Sequence, residues 1–206
     1  MGQGPMRKGI LFVMTAPSGA GKTTLLDLLL KEVPRLDYSV SVTTRPPRRG
    51  EVDGEAYHFT TRAEFESMLA SGEFLEHAVV YDNYYGTRRS VIEKALTAGN
   101  DIILDIDVRG ALQVMEKSYP GVFVYIMPPS MRELEERLRG RATDSGEVIR
   151  KRLSLAREEM GYAGRYDYVV VNDTLDAARD ELRSIIVAER QRASRNMDLI
   201  ERITGE

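Results

Sequence analysis

The segment ILFVMTAPSGAGKTTLLDLLL, residues 10–30, decides the fold. It opens with an apolar run at residues 10–15 that is typical of a buried parallel strand, and it closes with a leucine-rich stretch that predicts a helix. The octapeptide between them, APSGAGKT at residues 16–23, is glycine-rich and ends in Lys-Thr. This order of strand, glycine turn, Lys-Thr and helix is typical of a phosphate-binding loop. We therefore predict a nucleoside triphosphate site where the first strand meets the first helix.

The residues of this loop suit separate tasks in holding a phosphate chain. Glycines let backbone N–H groups turn toward phosphate oxygens, and the helix N-terminus adds partial positive charge. Lys22 is expected to reach the β- and γ-phosphates, and the Thr23 hydroxyl to hold Mg²⁺. The usual motif begins with glycine where this chain has Ala16, so the alternative for the motif alone is a glycine turn that binds nothing. The candidate ATP-binding residues here are Ala16, Pro17, Ser18, Gly19, Ala20, Gly21, Lys22, Thr23 and Thr24.

The composition sets the broad class of the protein. A length of 206 residues fits one compact domain, or one core with small inserts. The formal net charge of -3 gives no overall basic field for nucleic acid. The chain has no cysteine, which excludes disulfides and thiolate metal sites and favours a reducing cytoplasm. No apolar run reaches the roughly 18 to 20 residues that span a bilayer.

The order of predicted elements indicates an α/β fold. Strands alternate with helices, which predicts a parallel sheet covered by helices. Residues 38–88 break this alternation with several strands and one helix, so we predict an inserted lobe there. A polar, arginine-rich stretch predicts a second, smaller insert at 139–156, which leaves 9–37, 89–138 and 157–206 as the core. We also predict single strands over 38–43 and 102–107, and one long helix from Asp176 onward.

Several segments, taken in order, resemble the bacterial guanylate kinases. They are APSGAGKTT, SVTTRPPRRGEVDGEAYHF, FLEHA, NYYGT, ILDID, PPS, RLRGR and VVND. The resemblance runs from about residue 9 to residue 190, and in that family Ala or Gly commonly opens the phosphate-binding loop. It implies a P-loop NTPase fold of three α/β/α layers with a GMP-binding lobe and a small lid. It also implies transfer of the γ-phosphoryl group of ATP to GMP, giving ADP and GDP, with Mg²⁺.

The resemblance implies a clamp for the phosphate of GMP. Arg45 and Arg48 match the arginines that hold this phosphate, and Tyr57 and Tyr85 match tyrosines that donate their hydroxyls to it. Two arginines on one loop suit a dianionic phosphate, because each guanidinium forms charge-assisted bidentate hydrogen bonds. Taken singly, these arginines would be interpreted as a solvated loop and the tyrosines as packing.

The resemblance also implies a set of residues that recognise guanine. Ser41, Glu76 and Thr87 match the guanine-reading positions, and Asp105 matches an acidic residue near the guanine and the metal. Guanine presents two adjacent donors, N1–H and the 2-amino group, and an ionised carboxylate such as Glu76 only accepts. Adenine lacks both donors, and a site built in this way rejects the wrong ligand by up to about 10⁴–10⁵-fold. A lone glutamate in a strand is otherwise usually on a solvated face.

Two aspartates predict the metal position. Asp105 and Asp107 are two residues apart on a predicted strand, so both point to the same face. The end of such a strand lies beside the phosphate-binding loop, where a carboxylate holds Mg²⁺ through water or orients the acceptor. The alternative for Asp107 is a cap on the helix that begins at Val108. The predicted metal-binding residues are Thr23 and Asp105.

Cations and an amide complete the predicted site. The resemblance matches Arg137, Arg141 and Arg152 to lid arginines, which would stabilise the charge of the transferred phosphoryl group. Asn172 matches a region beside the adenine of ATP, with an N-cap of the terminal helix as the alternative. The expected catalytic cations are Lys22, Arg45, Arg137, Arg141 and Arg152.

Two other functions compete with a guanylate kinase. Some domains that resemble this family are non-catalytic protein-interaction modules that have lost the P-loop lysine, but here Lys22 and Thr23 are present. A related kinase with another phosphorylated acceptor should lack the base-reading residues. The predicted partners are therefore ATP and GMP, without nucleic acid or membrane, and the sequence leaves the oligomeric state open.

Overall fold

The computed structural model describes residues 7–80, 82–140 and 145–205. The strands are, in chain order, β1 (Leu11–Thr15), β2 (Leu36–Tyr38), β3 (Val42–Thr43), β4 (His58–Phe59), β5 (Phe74–Val80), β6 (Asn83–Arg88), β7 (Asp101–Asp105), β8 (Val122–Met127) and β9 (Tyr168–Val171). The helices are α1 (Lys22–Glu32), α2 (Arg62–Ala70), α3 (Arg89–Thr97), α4 (Val108–Glu116), α5 (Met131–Gly140), α6 (Gly146–Met160), α7 (Leu175–Arg190) and α8 (Met197–Thr204).

A five-stranded sheet forms the centre of the molecule. Its order is β2-β7-β1-β8-β9, and every neighbouring pair is parallel. The carboxyl ends of β1 and β7 lie side by side, with Met14 opposite Asp105. Because the carboxyl ends of parallel strands share one edge of the sheet, the phosphate-binding loop that follows β1 begins beside Asp105.

Helices cover both faces of this sheet. The side chains of β1 show this, because they alternate between two apolar cores. Phe12 and Met14 pack into a core with the leucines of α1 and the inner face of α7. Leu11 and Val13 point to the opposite face and pack into a second core with α3 and α4. Successive strand residues point to opposite faces, so a strand that is apolar throughout must be covered on both sides. The predicted three-layer α/β fold is confirmed.

A smaller sheet lies between α1 and α3 in the chain. Its order is β4-β3-β6-β5, with β5 and β6 forming an antiparallel hairpin and β5 at an edge. Val42, Phe65 and Phe74 form its own apolar core, in which the rings of Phe65 and Phe74 stack 4.3 Å apart. The helix α2 begins at the capping box of Thr61 and Glu64.

The strand predicted over residues 38–43 is wrong as a single element. The chain forms β2 and β3 there, and these belong to different sheets: Tyr38 pairs with Ile103 of β7, whereas Val42 pairs with Gly86 of β6. Strand structure does form at both ends of this run. The partner strand, which only the tertiary fold supplies, divides the run in two.

Two other predicted boundaries also need correction. The strand predicted to end at residue 107 ends at Asp105, because Asp107 leaves the sheet to cap α4. The helix predicted to continue from Asp176 ends at Arg190, and α8 is separate. The Asn196 side chain donates to the Arg190 carbonyl at 2.8 Å, which satisfies one of the free acceptors at the end of α7.

Candidate active site

A cavity of about 400 Å³ lies over the phosphate-binding loop, and we call it the donor cavity. It is lined by Ala16, Pro17, Ser18, Gly19, Gly21, Lys22, Thr23, Thr24, Asp105, Ile106, Asp107, Arg152, Leu155 and Glu159. The lining contains nearly all of the residues that the motif predicted, together with carboxylates from the next strand and side chains from α6. The site therefore combines one contiguous segment with residues from distant parts of the chain.

The conformation of the loop depends on two of its glycines. Gly19 has a φ of 96° and Gly21 a φ of 88°, in the left-handed region that other residues rarely adopt. Gly21 also precedes α1 as its N-cap residue and has no side chain with which to cap it. The N–H groups of the first turn of α1 are consequently available to an anion, and the helix dipole favours negative charge there.

Lys22 is held by the neighbouring strand end. Its ammonium group forms an ion pair with Asp105 and donates to the carbonyl oxygen of Ile106 at 3.2 Å. These contacts keep the charge of Lys22 in the donor cavity. A phosphate chain that enters the cavity competes with a carboxylate for this lysine.

The Asn172 side chain forms a hydrogen bond with the phosphate-binding loop. Its side-chain amide donates to the carbonyl of Ala20 at 2.7 Å, and a Cβ at Gly21 would lie 2.4 Å from the same nitrogen. Thr174, not Asn172, caps α7, so the alternative interpretation of Asn172 as an N-cap is wrong. Arg137 donates to the Asn172 carbonyl at 3.0 Å, so this arginine contacts the residue that holds the loop.

The helix α6 brings two further charges to the donor cavity. Arg152, Leu155 and Glu159 recur at helical spacing and line the cavity together. Burial and the charge of Asp107 raise the pKa of Glu159 above its ordinary value. Sequence reasoning missed Glu159, and its only signal was this spacing from Arg152. Arg141, the remaining predicted lid arginine, lies outside the described residues.

A second cavity, of about 360 Å³, opens toward the smaller sheet, and we call it the acceptor cavity. It is lined by Ser41, Tyr57, Glu76, Ala78, Val80, Tyr85, Gly86, Asp105, Ile106 and Asp107. Four of the predicted GMP-binding side chains from the smaller sheet therefore meet here with Asp105 from the central sheet. Asp105, Ile106 and Asp107 line both cavities, so one wall separates the donor side from the acceptor side.

Glu76 is a buried carboxylate in the wall of the acceptor cavity. Its residue is only 3% exposed, and the Thr87 hydroxyl donates to its Oε1 at 2.6 Å. Burial, with a contribution from Asp107, raises the pKa of Glu76 to about 7. Thr87 therefore holds Glu76 in place, and Glu76 retains a second oxygen. A carboxylate in this setting accepts donors from a ligand without competition from bulk water.

The arginine loop beside this cavity is closed by an internal ion pair. Glu51 accepts from the Arg45 guanidinium at 2.8 Å and from the Arg48 N–H at 2.7 Å, and these hydrogen bonds lower the pKa of Glu51. The Arg45 guanidinium also lies 5.3 Å from the centre of the Tyr57 ring, and the Tyr57 and Tyr85 rings are 5.8 Å apart. Three of the four predicted phosphate-clamp residues are thus together, whereas the Arg48 side chain is exposed on the same loop.

Comparisons with known proteins agree with this geometry. The guanylate kinase family profile matches residues 8–189. A guanylate kinase from Desulfitobacterium hafniense is 50% identical over 187 residues, covering 91% of this chain and 94% of the relative. One from Caldanaerobacter subterraneus subsp. tengcongensis is 48% identical and covers 97% of each chain. The crystal structure of guanylate kinase from Anaplasma phagocytophilum superposes with a TM-score of 0.73, at 35% identity and 95% coverage of each chain.

The chain belongs to the guanylate kinase family. It is accordingly an ATP-dependent nucleoside monophosphate kinase, and the predicted enzyme class is confirmed. The alternative of a non-catalytic module resembling a guanylate kinase is not favoured, since the loop lysine and its cavity are both present.

The donor cavity contains oxygen donors that suit a magnesium ion. Among residues 7–80, 82–140 and 145–205, no group of three or more Asp, Glu or His side chains is placed to hold a metal by itself. The Thr23 and Asp105 side chains nevertheless share the donor cavity. Mg²⁺ typically binds one or two protein oxygens together with substrate phosphates and water, so this small donor set fits it.

Within the described part of the chain, every helix is too short or too polar to cross a bilayer.

Proposed function

We propose that this protein transfers the γ-phosphoryl group of ATP to GMP, giving ADP and GDP. ATP would occupy the donor cavity and GMP the adjoining acceptor cavity. The observation that carries the proposal is that Asp105, Ile106 and Asp107 line both the donor and the acceptor cavity. Holding two reactants in line replaces an encounter in solution, and phosphoryl transfer needs little else besides charge stabilisation. We propose no covalent enzyme intermediate.

On the donor side, the loop from Ala16 to Thr24 would hold the phosphates of ATP. Its N–H groups and the start of α1 supply a cradle for anions, and Lys22 would leave Asp105 to contact the β- and γ-phosphates. Asn172, which contacts the loop at Ala20, would fix the loop and approach the adenine.

On the acceptor side, the arginine loop and two tyrosines would clamp the phosphate of GMP. Arg45 is already stacked beside Tyr57, and Tyr57 lies beside Tyr85. Glu51 would give up its bond to Arg45, or share it, when the dianionic phosphate arrives. Arg48 would then turn inward from the surface of the loop, because both guanidinium groups form stronger bonds with a phosphate than with water.

The base of GMP would be read inside the acceptor cavity. Glu76 would accept from N1–H and the 2-amino group, while Thr87 holds its other side and Ser41 and Asp105 complete the pocket. AMP offers neither donor, so its binding would leave a buried carboxylate unpaired. This arrangement supports GMP over other nucleoside monophosphates as the acceptor.

We propose Mg²⁺ as the cofactor, with Thr23 and Asp105 as its protein ligands, directly or through water. When bound, it neutralises charge on the phosphate oxygens and aligns them. The residues of this chain supply the remaining positive charge: Lys22 from the loop, Arg45 from the acceptor side, and Arg137, Arg141 and Arg152 from the lid region.

We further propose that residues 38–88 act as a GMP-binding lobe and residues 139–156 as a lid on the P-loop core. Arg152 on α6 supports this assignment because it lines the donor cavity. Closure of both parts would exclude water and protect ATP from hydrolysis. We place the enzyme in the cytoplasm, with ATP and GMP rather than nucleic acid or membrane as its partners, in keeping with the absence of cysteine.

The test is a coupled assay of ADP release with GMP, AMP, CMP and UMP as acceptors. We expect turnover with GMP that exceeds turnover with the other three by orders of magnitude. Lys22→Ala, which retains the acceptor cavity, should lower turnover by about 10²-fold or more. Equal rates with AMP and GMP would contradict the role of guanine recognition, and turnover near that of the wild type in Lys22→Ala would contradict the role of the loop.

A further inference from the structure

One face of α4 lies directly against the strand that carries Glu76. Gly110 and Gln113 of α4 and its C-cap residue Lys117 are spaced three and four residues apart, which places them on the same side of the helix. Leu75, Glu76 and His77 lie opposite them on β5, the edge strand of the smaller sheet. This contact joins the central α/β layers to the smaller sheet at Glu76, the residue that binds guanine in the proposed function.

Gln113 binds the main chain of β5 as a neighbouring strand would. Its Nε2 donates to the His77 carbonyl at 2.7 Å, and its Oε1 accepts from the His77 N–H at 3.2 Å. A side-chain amide carries one donor and one acceptor group, so it can satisfy both backbone groups of an edge residue at once. The main chain immediately after Glu76 is thereby fixed to the helix.

Lys117 holds the main chain on the other side of Glu76. Its ammonium group donates to the Leu75 carbonyl at 2.6 Å. Residues 75 and 77 are therefore both bound by side chains of α4 and its C-cap residue, and the backbone of Glu76 lies between the two attachments. Rotation or sliding of β5 relative to α4 would break three hydrogen bonds.

Gly110 leaves the space that the Glu76 carboxylate occupies. A Cβ at this position would lie 2.8 Å from Oε2 of Glu76, with the Ile106 side chain at 3.2 Å and the Asp107 carboxylate at 3.4 Å. The Thr87 hydroxyl meets the other carboxylate oxygen at 2.6 Å. The carboxylate is thus enclosed between a hydroxyl from β6 and the backbone of α4.

We propose that Gln113 is a positioning residue for guanine recognition, acting through Glu76, with Gly110 of the same helix and the C-cap residue Lys117 as its partners. This inference rests on the proposed role of Glu76. Guanine offers two parallel donors, so its carboxylate partner must be correct in orientation as well as in distance. Gln113 and Lys117 fix the strand, and Gly110 and Thr87 fix the plane of the carboxylate.

The proposal predicts a loss of discrimination rather than a general loss of activity. IMP shares N1–H and the ribose phosphate with GMP but lacks the 2-amino group. The ratio of kcat/KM for GMP to kcat/KM for IMP therefore measures the second hydrogen bond to Glu76. A displaced Glu76 carboxylate that no longer accepts from the 2-amino group would discriminate less between GMP and IMP.

The experiment compares Gln113→Met, which keeps the length of the side chain, with the wild-type enzyme. We expect kcat/KM for GMP to fall about three- to tenfold, the value of about one hydrogen bond, and the GMP/IMP ratio to fall with it. The KM for ATP should stay within about twofold. The control Glu116→Ala changes an exposed residue of the same helix and should behave as the wild type.

Gly110→Ala provides an independent variant, because it displaces the carboxylate without removing a bond to β5. It should lower the same GMP/IMP ratio, and it keeps the proposal testable if Gln113→Met folds poorly. In the double variant Glu76→Gln/Gln113→Met, the ratio should be no lower than in Glu76→Gln alone, because both changes act on one group.

Three results would overturn the proposal, and the third is distinguishable from the first two. If Glu76→Gln lowers the GMP/IMP ratio but Gln113→Met and Gly110→Ala do not, the α4 face supports only the fold. The same conclusion follows if Gln113→Met lowers the melting temperature and reduces kcat/KM for both nucleotides equally. If Glu76→Gln itself leaves the ratio unchanged, the proposed base reader is wrong, and the positioning role falls with it.

Discussion

The donor and acceptor cavities share a wall but are built in opposite ways. The donor cavity takes most of its lining from one uninterrupted segment, residues 16–24. The acceptor cavity is assembled from separate strands and loops of the smaller sheet, including Ser41, Tyr57, Glu76 and Tyr85. A contiguous loop is positioned by its own backbone, whereas a distributed pocket depends on the packing of every element that contributes to it. Substitutions far from the ligand should therefore disturb guanine recognition more readily than ATP binding.

The two cavities also differ in the partners of their charged groups. In the donor cavity, Lys22 and Asp105 form an ion pair. In the acceptor cavity, Glu76 is buried beside the neutral hydroxyl of Thr87, and its pKa rises to about 7. A change of pH near neutrality should consequently act on guanine recognition through Glu76.

The largest effect is expected from Lys22→Ala. Removal of this cation should lower kcat by about 10²–10³-fold or more, since one preorganised group that stabilises developing charge contributes that much. The fold should be retained, because Lys22 is a partly exposed side chain at the start of α1. The measurement is steady-state kinetics with circular dichroism, and Lys31→Ala on the same helix is the control. A kcat near that of the wild type would contradict the assignment of the donor cavity.

The next largest effect is expected from Arg45→Ala. The KM for GMP should rise about 10- to 100-fold, as for the loss of a charge-assisted hydrogen bond, while the KM for ATP stays nearly constant. Arg45→Lys should recover only part of the loss, because an ammonium group lacks the planar fork of donors. Arg49→Ala, on the same loop, is the matched control. Equal increases in both KM values would mean that the two cavities are not separate binding sites.

The next effect is expected in the pH dependence of kcat/KM for GMP. As pH falls below about 7, Glu76 becomes protonated and loses an acceptor. The kcat/KM for GMP should then fall by about tenfold per pH unit in the wild type. Glu76→Gln is the control, because it retains the titration of the nucleotide phosphates and removes that of Glu76. Identical pH profiles for the two enzymes would contradict the titration of Glu76.

Folding stability should respond to pH in the opposite direction. The pKa of Glu76 is raised from its ordinary value of 4.5 to about 7, so the native state binds this proton more tightly than the unfolded state does. Its contribution to stability is therefore complete below about 4.5 and is lost as pH rises through about 7. The midpoint of urea unfolding, measured for the wild type and Glu76→Gln across this range, checks the sign.

The smallest effect is expected from the residue that lines both cavities and caps α4. Asp107 accepts from the Gly110 N–H at 2.8 Å. Asp107→Ala should lower the free energy of unfolding by about 1 kcal/mol, which corresponds to a fall in melting temperature of roughly 2–4 °C. Asp107→Asn should retain most of the stability, because asparagine is also a good N-cap. A large loss in Asp107→Asn would indicate that its charge, rather than its cap, matters.

The sequence by itself determined the donor side of this protein. The strand, glycine loop, lysine and helix are contiguous, and each imposes its geometry through local rules: glycine at positive φ, a helix N-terminus and an apolar strand. The order of apolar runs likewise determined the α/β layers. The family resemblance supplied the residues of the acceptor cavity, since single residues such as Glu76 carry no local signal of their function.

Only the tertiary structure decided how the acceptor side is held. Gln113 meets His77 across 36 residues of sequence, Lys117 meets Leu75 across 42, and Asn172 meets Ala20 across 152. No pattern of neighbouring residues encodes such contacts, which form when the folded chain brings α4 against β5 and β9 beside the loop. The division of residues 38–43 between two sheets and the arrival of Glu159 in the donor cavity have the same cause. Local propensity selects an element, and the packing of the whole chain selects its partner.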